Sequence, residues 1–335
     1  MPAKIRPSKG APYARILGVG GYRPTRVVTN EEILKHIDSS DEWIRSRSGI
    51  VTRHWAGPDE TVATMAVEAA GKALADGGLT PEQIDGVIVS TVTHFRQTPA
   101  IATEIAHRLG AGKPAAFDIS AGCAGFGYGV TLAKGMIAEG SASHVAVIGV
   151  ERLSDLTDLT DRKTAFLFGD GAGAVIVGPS QEPAIGPTVW GSEGDKSETI
   201  TQTLGWDAYR EGGQDLPFPA LTQEGQAVFR WAVYEMAKVA QTALAEAGVS
   251  VADLDVFIPH QANMRIIDSM VKTLKLPDHV TVARDIETSG NTSAASIPLA
   301  MERLLATGQA KSGDTALVIG FGAGLVYAAT VVTLP

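Results

Sequence analysis

The sequence has a single cysteine, few aromatic residues and no apolar run long enough to cross a membrane. Of its 335 residues, 44% are hydrophobic, 6% are aromatic and one is cysteine. A lone cysteine excludes an internal disulfide, so the Cys123 thiol is either packing material or a reactive group. The basic first residues also lack an apolar stretch, and we therefore expect a cytoplasmic protein with no membrane partner.

Positive charge is also scarce. The chain has 28 Lys and Arg residues against 37 Asp and Glu residues, for a formal net charge of −9. This balance disfavours general binding to nucleic acid. Strand-like apolar runs at 87–89, 145–148, 174–177 and 317–319 alternate with longer segments of helical period, which indicates the α/β class.

The most informative pattern present is an internal duplication. The segment ALADGGLTPEQIDGVIVS, which starts at Ala73, reappears 170 residues later as ALAEAGVSVADLDVFIPH, which starts at Ala243. Homologous halves usually pack about a pseudo-twofold axis, and their equivalent loops meet at a seam where ligand sites form. Composition shifts after Pro179, so we predict two halves, 1–180 and 181–335, with 181–222 as a connection with surface excursions.

A second similarity aligns the loop DISAGC, which ends at Cys123, with DIETSGN, which ends at Asn291. The alignment allows one extra residue in the later copy and sets Cys123 opposite Asn291. Cys123 also follows the strand-like segment 115–119 and precedes a helix-compatible stretch. Backbone N–H groups at a helix start favour a thiolate, so we expect a lowered thiol pKa. An inert buried cysteine is the alternative, and local context alone does not separate the two.

His260 and Asn291 are the polar side chains expected to join Cys123. His260 ends the strand pattern 256–259, and ligands of α/β sheets gather at the carboxyl ends of strands, although a lone histidine is often only structural. Asn291 could be a plain cap or turn residue. Together the three groups fit carbon–carbon bond formation better than a papain-like triad. A thiolate would accept an acyl group while neutral His and Asn stabilise an enolate oxygen.

Several ordered motifs resemble β-ketoacyl-acyl-carrier-protein synthase III over nearly the whole chain. These motifs are SDEWI at Ser40, CAGF at Cys123, HQAN at His260, GNTSAAS at Gly290 and GFGAG at Gly320. The resemblance implies a thiolase-like, layered αβαβα fold built from two duplicated halves about a pseudo-twofold axis. It also implies that acyl-CoA loads the cysteine and that malonyl-acyl carrier protein then loses CO2 and condenses with the acyl group. The products are 3-oxoacyl-acyl carrier protein and CoA, in the first step of fatty acid or related polyketide biosynthesis.

The resemblance also assigns site residues, without any metal or cofactor, and it implies a homodimer. Cys123 is the nucleophile, His260 and Asn291 hold the malonyl thioester oxygen, and the N–H groups of Cys123 and Ala323 form an oxyanion hole. The CoA channel is expected to be lined by Trp43, Arg47, Arg162, Gly225, Phe229, Asn263 and Arg265. A basic patch for the carrier protein would comprise Arg265, Lys272 and Lys275. The acyl pocket would include Phe321 and Thr98, with Thr98 facing the partner subunit.

Other functions stay open at this stage. A type III polyketide synthase would condense CoA esters repeatedly without a carrier protein, and a catalytically silent scaffold would leave the thiol unacylated. A nucleotide-binding oxidoreductase is disfavoured because the glycine-rich turns at 168–174 and 320–324 lack its fingerprint. A degradative thiolase needs a second cysteine, and an elongating synthase needs a histidine in place of Asn291. The starter acyl group and the pathway are not determined by the sequence, although a small Thr98 favours starters larger than acetyl.

Overall fold

The computed structural model describes residues 4–335, apart from the side chain of Gln214. The strands are β1 (Tyr13–Tyr22), β2 (Arg26–Thr29), β3 (Thr52–Trp55), β4 (Gly86–Ser90), β5 (Ala115–Ile119), β6 (Val145–Arg152), β7 (Asp170–Ser180), β8 (Ile185–Ser192), β9 (Ile200–Gln202), β10 (Leu221–Gln223), β11 (Val256–Pro259), β12 (Thr281–Val282), β13 (Thr315–Gly322) and β14 (Val326–Thr333). The helices are α1 (Asn30–Ile33), α2 (Asp41–Ser48), α3 (Val62–Asp76), α4 (Ile101–Leu109), α5 (Gly125–Glu139), α6 (Trp206–Gly212), α7 (Gly225–Ala247), α8 (Met264–Leu274), α9 (Ile286–Ser289) and α10 (Ser296–Ala306).

Two five-stranded sheets repeat one topology. The first has the order β1-β7-β6-β4-β5, and the second has the order β8-β14-β13-β11-β12. In both sheets the first two pairings are antiparallel and the last two are parallel. The strand β8 lies within 181–222, the segment expected to connect the halves. That segment therefore supplies the edge strand of the second sheet as well as surface structure.

Helices cover both faces of each sheet. Helices α3 and α4 pack on the outer face of the first sheet, α5 and α10 lie between the sheets, and α7 and α8 cover the second sheet. The helix α3 approaches its sheet closely because the face it buries is built from alanine, including Ala66, Ala69 and Ala73. The layer order is αβαβα, as the resemblance predicted. None of the helices within the described residues is both long and apolar enough to span a bilayer.

The repeated segments have equivalent hydrogen bonds in the two halves. The Asp85 carboxylate accepts from the backbone N–H of Ser143 at 2.8 Å, just before β6 begins. Its counterpart Asp255 accepts from the N–H of Thr315 at 2.8 Å, at the start of β13. In each half, one aspartate therefore ties the start of a parallel strand to the start of its neighbour.

The halves meet through a reciprocal contact at the seam. A Cβ atom on Gly149 of β6 would lie 2.2 Å from the Ala294 carbonyl oxygen, and one on Gly320 of β13 would lie 3.0 Å from the Cys123 carbonyl oxygen. Glycine alone allows this approach. A strand of each half thus touches the turn before the central helix of the other half, as a pseudo-twofold axis requires. The register sets Cys123 opposite Ala294, which corrects the sequence alignment of Cys123 with Asn291.

Candidate active site

A cavity of about 1470 Å³ lies at this seam and is lined by both halves. The sequence-predicted site residues that line it are Trp43, Arg47, Cys123, Gly225, Phe229, His260, Asn263, Arg265, Asn291, Phe321 and Ala323. Among the described residues, Arg162, Thr98, Lys272 and Lys275 are the predicted ones that lie outside its lining. The structure therefore brings the thiol, the imidazole and the carboxamide into one cavity.

Cys123 occupies the turn between β5 and α5. The preceding residue, Gly122, has φ of +48°, a conformation that disfavours residues with a Cβ. Cys123 as a whole is half-buried and lines the cavity. Burial raises the pKa of the Cys123 thiol to about 12, against an opposing hydrogen bond with Ser293, and the Glu151 carboxylate adds to the rise. The expected lowering was wrong, because desolvation outweighs the helix start.

His260 follows β11 and is 1% exposed. Its Nδ1 atom lies 2.7 Å from the Ser296 hydroxyl oxygen, which also accepts from the Gln261 N–H at 3.4 Å. We assign the serine proton to the bond with Nδ1, which leaves the ring proton on Nε2. Burial lowers the pKa of His260 to about 3, so the ring is neutral at ordinary pH. A neutral Nε2–H donor is therefore available to an oxygen in the cavity.

Asn291 is fixed by hydrogen bonds to its backbone and to the oxygen of its side-chain amide. Its N–H donates to the Leu167 carbonyl at 2.8 Å, and its own carbonyl accepts from Gly169 at 3.0 Å. The side-chain Oδ1 accepts from the Ser293 N–H at 2.9 Å. Because the oxygen is engaged, the amide Nδ2 is the group left to donate into the cavity.

The end of β13 completes the surroundings of the thiol. A Cβ on Gly322 would lie 2.9 Å from the Cys123 sulfur, so this backbone passes directly beside the thiol. Ala323 follows and lies against Gly122. A Cβ atom built on Gly122 would lie 3.3 Å from the Ala323 backbone nitrogen. Phe321 is 2% exposed, and its ring packs edge-on against the His260 ring at 5.4 Å between centroids. The backbone of Gly322 thus lies beside the sulfur, and an aromatic ring packs against the imidazole.

The predicted CoA-channel residues form a connected group at the entrance. The guanidinium carbons of Arg162 and Arg47 lie 5.3 and 6.0 Å from the Trp43 ring centroid. The Asn263 side chain caps α8 by accepting from the Arg265 N–H at 2.9 Å, and it donates to the Arg47 carbonyl at 3.0 Å. This residue thereby fixes the end of α2 to the start of α8.

The remaining predicted channel residues lie on α7, where Gly225 is the first residue and the Phe229 ring lies 5.1 Å from the Arg265 guanidinium carbon. Lys272 is in the last turn of α8, and Lys275 is its left-handed C-cap. Both lysines are exposed. Thr98 is exposed too, in the isolated chain.

Three side chains beside the reacting groups were missed by sequence reasoning. These are Glu151, Ser293 and Ser296. Glu151 directly follows the apolar run VIGV, so an acid at the end of a buried strand was the available signal. The two serines lie within GNTSAAS and were visible only as part of the motif. Within residues 4–335, no group of three or more His, Cys, Asp or Glu side chains could hold a metal ion.

Comparisons with known proteins cover both halves of the chain. The family described as 3-oxoacyl-[acyl-carrier-protein] synthase III matches residues 117–194, and its C-terminal region matches 244–334. The chain is 80% identical to β-ketoacyl-[acyl-carrier-protein] synthase III 1 of Streptomyces coelicolor, over 99% of this chain and 100% of the relative. The enzyme of Streptomyces glaucescens has the same identity and the same coverage.

Solved structures give the same result. The priming β-ketosynthase of the R1128 polyketide biosynthetic pathway superposes with a TM-score of 0.96 at 47% identity, over 100% of this chain and 99% of the other. The 3-oxoacyl-[acyl-carrier-protein] synthase III of Aquifex aeolicus gives 0.87 at 38% identity, over 96% and 99%. The chain therefore belongs to the β-ketoacyl-[acyl-carrier-protein] synthase III family and is an acyl-transferring condensing enzyme that initiates fatty acid or polyketide synthesis.

Proposed function

We propose that the chain transfers an acyl group from acyl-CoA to Cys123 and then condenses it with malonyl-acyl carrier protein. The products are 3-oxoacyl-acyl carrier protein, CO2 and CoA. One observation carries the proposal: a thiol shares one cavity with His260 and Asn291, each fixed as a neutral hydrogen-bond donor. No cofactor is needed, because both substrates are already activated as thioesters.

In the first half-reaction the Cys123 sulfur attacks the acyl thioester carbonyl. The backbone N–H groups of Cys123 and Ala323 would receive the tetrahedral oxyanion. Collapse of this intermediate breaks the bond to CoA and leaves the acyl group on Cys123. Preorganised donors of this kind typically contribute about 3–4 kcal/mol each to transition-state stabilisation.

In the second half-reaction the malonyl thioester oxygen is bound by His260 Nε2–H and Asn291 Nδ2–H. Loss of CO2 leaves electron density on that oxygen as an enolate, and the two donors stabilise it. The enolate carbon attacks the acyl group on Cys123, and the sulfur leaves. Neutral donors suit this step because neither of them places a full positive charge on the malonyl thioester, where such a charge would also bind the carboxylate and hinder its departure.

We further propose that Trp43 and Arg162 form a stacking site for the adenine of CoA. The arginine lies over the indole ring at 5.3 Å in the free chain, an arrangement that a planar base can enter. Arg47, Asn263, Arg265, Gly225 and Phe229 would line the channel from this entrance to the thiol.

The carrier protein would dock on a basic patch made of Arg265, Lys272 and Lys275. Arg265 and Lys272 are seven residues apart on α8 and share a face. The acid between them, Asp268, is paired with Arg284 at 2.7 Å, so its charge is offset. Positive charge at the cavity entrance suits an acidic partner even though the whole chain is acidic.

Charge reversal tests the docking patch. Lys272→Glu with Lys275→Glu should raise the apparent KM for malonyl carrier protein by about tenfold or more, and that for acyl-CoA much less, because both lysines lie outside the cavity lining. Lys113→Glu, an exposed lysine just before β5 in the first half of the chain, is the control for the general charge change. Equal effects of the double variant on both substrates would place the docking surface elsewhere.

Intact-mass measurement tests the central proposal. Acyl-CoA should add one acyl mass to the wild-type chain, and Cys123→Ala should abolish the addition. An unmodified wild-type chain would support a catalytically silent scaffold. Repeated extension with CoA esters in the absence of carrier protein would support a type III polyketide synthase instead.

We also propose a cytoplasmic homodimer in which Thr98 of one subunit borders the acyl pocket of the other, together with Phe321. Competition among acetyl-, isobutyryl- and longer acyl-CoA substrates tests the pocket. Thr98→Phe should shift the preference toward acetyl, because a larger side chain shortens the available space. An unchanged preference would remove Thr98 from the pocket.

A further inference from the structure

Two buried side chains of β3 donate to the backbone of a segment that lines the cavity. Arg53 is 0% exposed and Trp55 is 8% exposed. Because side chains alternate along a strand, both point from the same face of β3. Arg53 Nη2 donates to the Phe166 carbonyl at 2.9 Å, and Trp55 Nε1 donates to the Phe168 carbonyl at 3.1 Å. The segment 166–168 is therefore attached to β3 at both of its ends.

The carbonyl between these two attachments belongs to Leu167 and binds the residue that carries the carboxamide of the site. The Leu167 carbonyl accepts from the Asn291 N–H at 2.8 Å, and the Gly169 N–H donates to the Asn291 carbonyl at 3.0 Å. Phe168 and Asn291 thereby form an isolated parallel bridge. The segment 166–168 and Asn291 also line the cavity. The backbone position of Asn291 thus depends on 166–168, which in turn depends on β3.

Close packing adds to these hydrogen bonds. Gly290 precedes Asn291 and has φ of +68°. A Cβ atom on Gly290 would lie 3.0 Å from the Arg53 Cβ and 3.1 Å from the Leu167 carbonyl oxygen. The stem of Arg53 therefore packs directly against the residue before the carboxamide, and glycine allows this approach.

The buried Arg53 guanidinium donates to three neutral oxygens. These are the carbonyls of Val28 and Phe166, at 3.3 and 2.9 Å, and the side-chain oxygen of Asn30, at 2.6 Å. The Asp41 carboxylate accepts from Asn30 at 2.7 Å and is thus one residue removed from the guanidinium. Burial lowers the pKa of Arg53 to about 10, so the group is still charged at neutral pH. Holding a buried charge in this way costs stability, which points to a use beyond packing.

We propose that Arg53 and Trp55 are positioning residues for Asn291 in the decarboxylation of malonyl-acyl carrier protein. This inference rests on the donor role proposed for Asn291. The two side chains hold the carbonyls on either side of Leu167, and Leu167 and Gly169 fix the backbone that carries the Asn291 amide. Neither Arg53 nor Trp55 is part of the cavity lining, so both act through Asn291 and not on the substrate.

The two half-reactions should respond differently to the loss of one attachment. Cys123 lies on the turn between β5 and α5, with its sulfur beside Gly322, so acyl loading does not require the segment 166–168. Asn291 stabilises the enolate in the second half-reaction, and a small displacement of its amide weakens a hydrogen bond that the transition state needs. A general defect of the fold would slow both half-reactions.

Trp55 gives the cleaner test of the two side chains. The Phe166 ring packs edge-on against the Trp43 ring, with 5.4 Å between centroids, so a change at Arg53 also reaches the entrance of the cavity. Trp55 holds the other end of the segment. Trp55→Phe keeps a buried aromatic ring and removes the Nε1–H donor.

The experiment compares the two half-reactions in the full chain. Loading is measured as single-turnover acylation of Cys123 by intact mass, at saturating acyl-CoA. The second step is measured as CO2 released from malonyl-acyl carrier protein by chain that is already acylated. Trp55→Phe should slow CO2 release by about tenfold and leave loading within about threefold. Arg53→Met, which removes the donor to Phe166, should slow CO2 release by at least as much.

Lys72→Met is the matched control, because it also removes a side-chain donor to a backbone carbonyl. Lys72 Nζ donates to the Gly21 carbonyl at 2.9 Å, and neither residue lines the cavity. Both half-reactions should stay within about twofold of wild type in this variant.

A double-mutant cycle with Asn291→Ala separates positioning from a general loss of structure. If Trp55 acts through the carboxamide, Trp55→Phe has nothing left to misplace once the carboxamide is removed. In the Asn291→Ala background it should therefore slow the remaining CO2 release by less than about twofold.

Three results would each overturn the inference: CO2 release by Trp55→Phe at the wild-type rate, equal slowing of both half-reactions, or a tenfold slowing that persists in the Asn291→Ala background. In each case the wild-type chain would still gain an acyl group and release CO2, so the proposed function would stand. A wild-type chain that gains no acyl group, or an Asn291→Ala chain that releases CO2 at the wild-type rate, would instead contradict the proposed function itself.

Discussion

Gly149→Ala should be among the most damaging single-methyl additions in this molecule. The new Cβ would lie 2.2 Å from the Ala294 carbonyl oxygen and 2.5 Å from its carbonyl carbon, where ordinary contact begins at 3.4 Å. Both atoms are backbone, so no side chain can rotate away. The β6 strand and the turn that carries Ser293 must therefore separate by roughly 1 Å, at a cost of about 3 kcal/mol or more.

The same displacement should also lower the catalytic activity. The turn also carries Asn291, whose Oδ1 is held by the Ser293 N–H. A shift of about 1 Å in such a group reduces activity by about 100-fold. Gly149→Ala should therefore lose both stability in denaturant unfolding and condensation activity, even though position 149 touches no substrate.

Gly135→Ala is the matched control for this prediction. Gly135 lies inside α5 and is exposed, and a Cβ atom at this position would have no neighbour within 4 Å. The substitution should stabilise the helix by about 1 kcal/mol and leave activity unchanged. If Gly149→Ala were as stable and as active as Gly135→Ala, the reciprocal contact would not hold the two halves together, and the reasoning about the seam would fail.

Two further predictions concern the imidazole. Ser296→Ala removes the hydrogen bond that assigns the His260 proton to Nε2, so decarboxylation should fall by about tenfold or more while single-turnover loading changes less. Because burial lowers the pKa of His260 to about 3, the decarboxylation rate should show no inflection from this ring between pH 5 and 8. The neutral ring also stabilises the fold above pH 6.5, and that contribution is lost as the pH falls toward 3. His260→Gln, which does not titrate, should lose less stability than wild type between pH 7 and pH 4.5 in urea unfolding.

The architecture could be predicted from the sequence because both halves repeat the same pattern of helix, turn and strand. Asp85 and Asp255 occupy matching positions of the repeated segments, and they make equivalent bonds. The strand β8 was not expected, since it lies in a segment rich in Gly and Pro and becomes a strand only by pairing with β14. Such pairing is a tertiary effect that local pattern does not contain.

The sequence predicted which residues meet at the site, but the predicted direction of the Cys123 pKa shift was wrong. Cys123, His260 and Asn291 meet in one cavity, as expected for loops at the seam of a duplicated chain. The alignment of Cys123 with Asn291 was wrong, because a one-residue insertion cannot be placed in short loops by letters alone. The predicted lowering of the thiol pKa was wrong for a different reason. It counted the favourable helix start and omitted burial, which depends on how the second half closes over the first.

The two equivalent turns at the seam have the same backbone conformation but different residues, Gly122 and Ser293. Gly122 and Ser293 occupy equivalent places with the same positive φ, but glycine adopts it at little cost and serine does not. Ser293→Gly should therefore be at least as stable as wild type in urea unfolding. Ser293→Ala keeps the strained φ, so it should show no gain in stability. If Ser293→Gly instead lost more than about 1 kcal/mol, the Ser293 side chain would be a structural element of the turn whose contribution exceeds the cost of the strain.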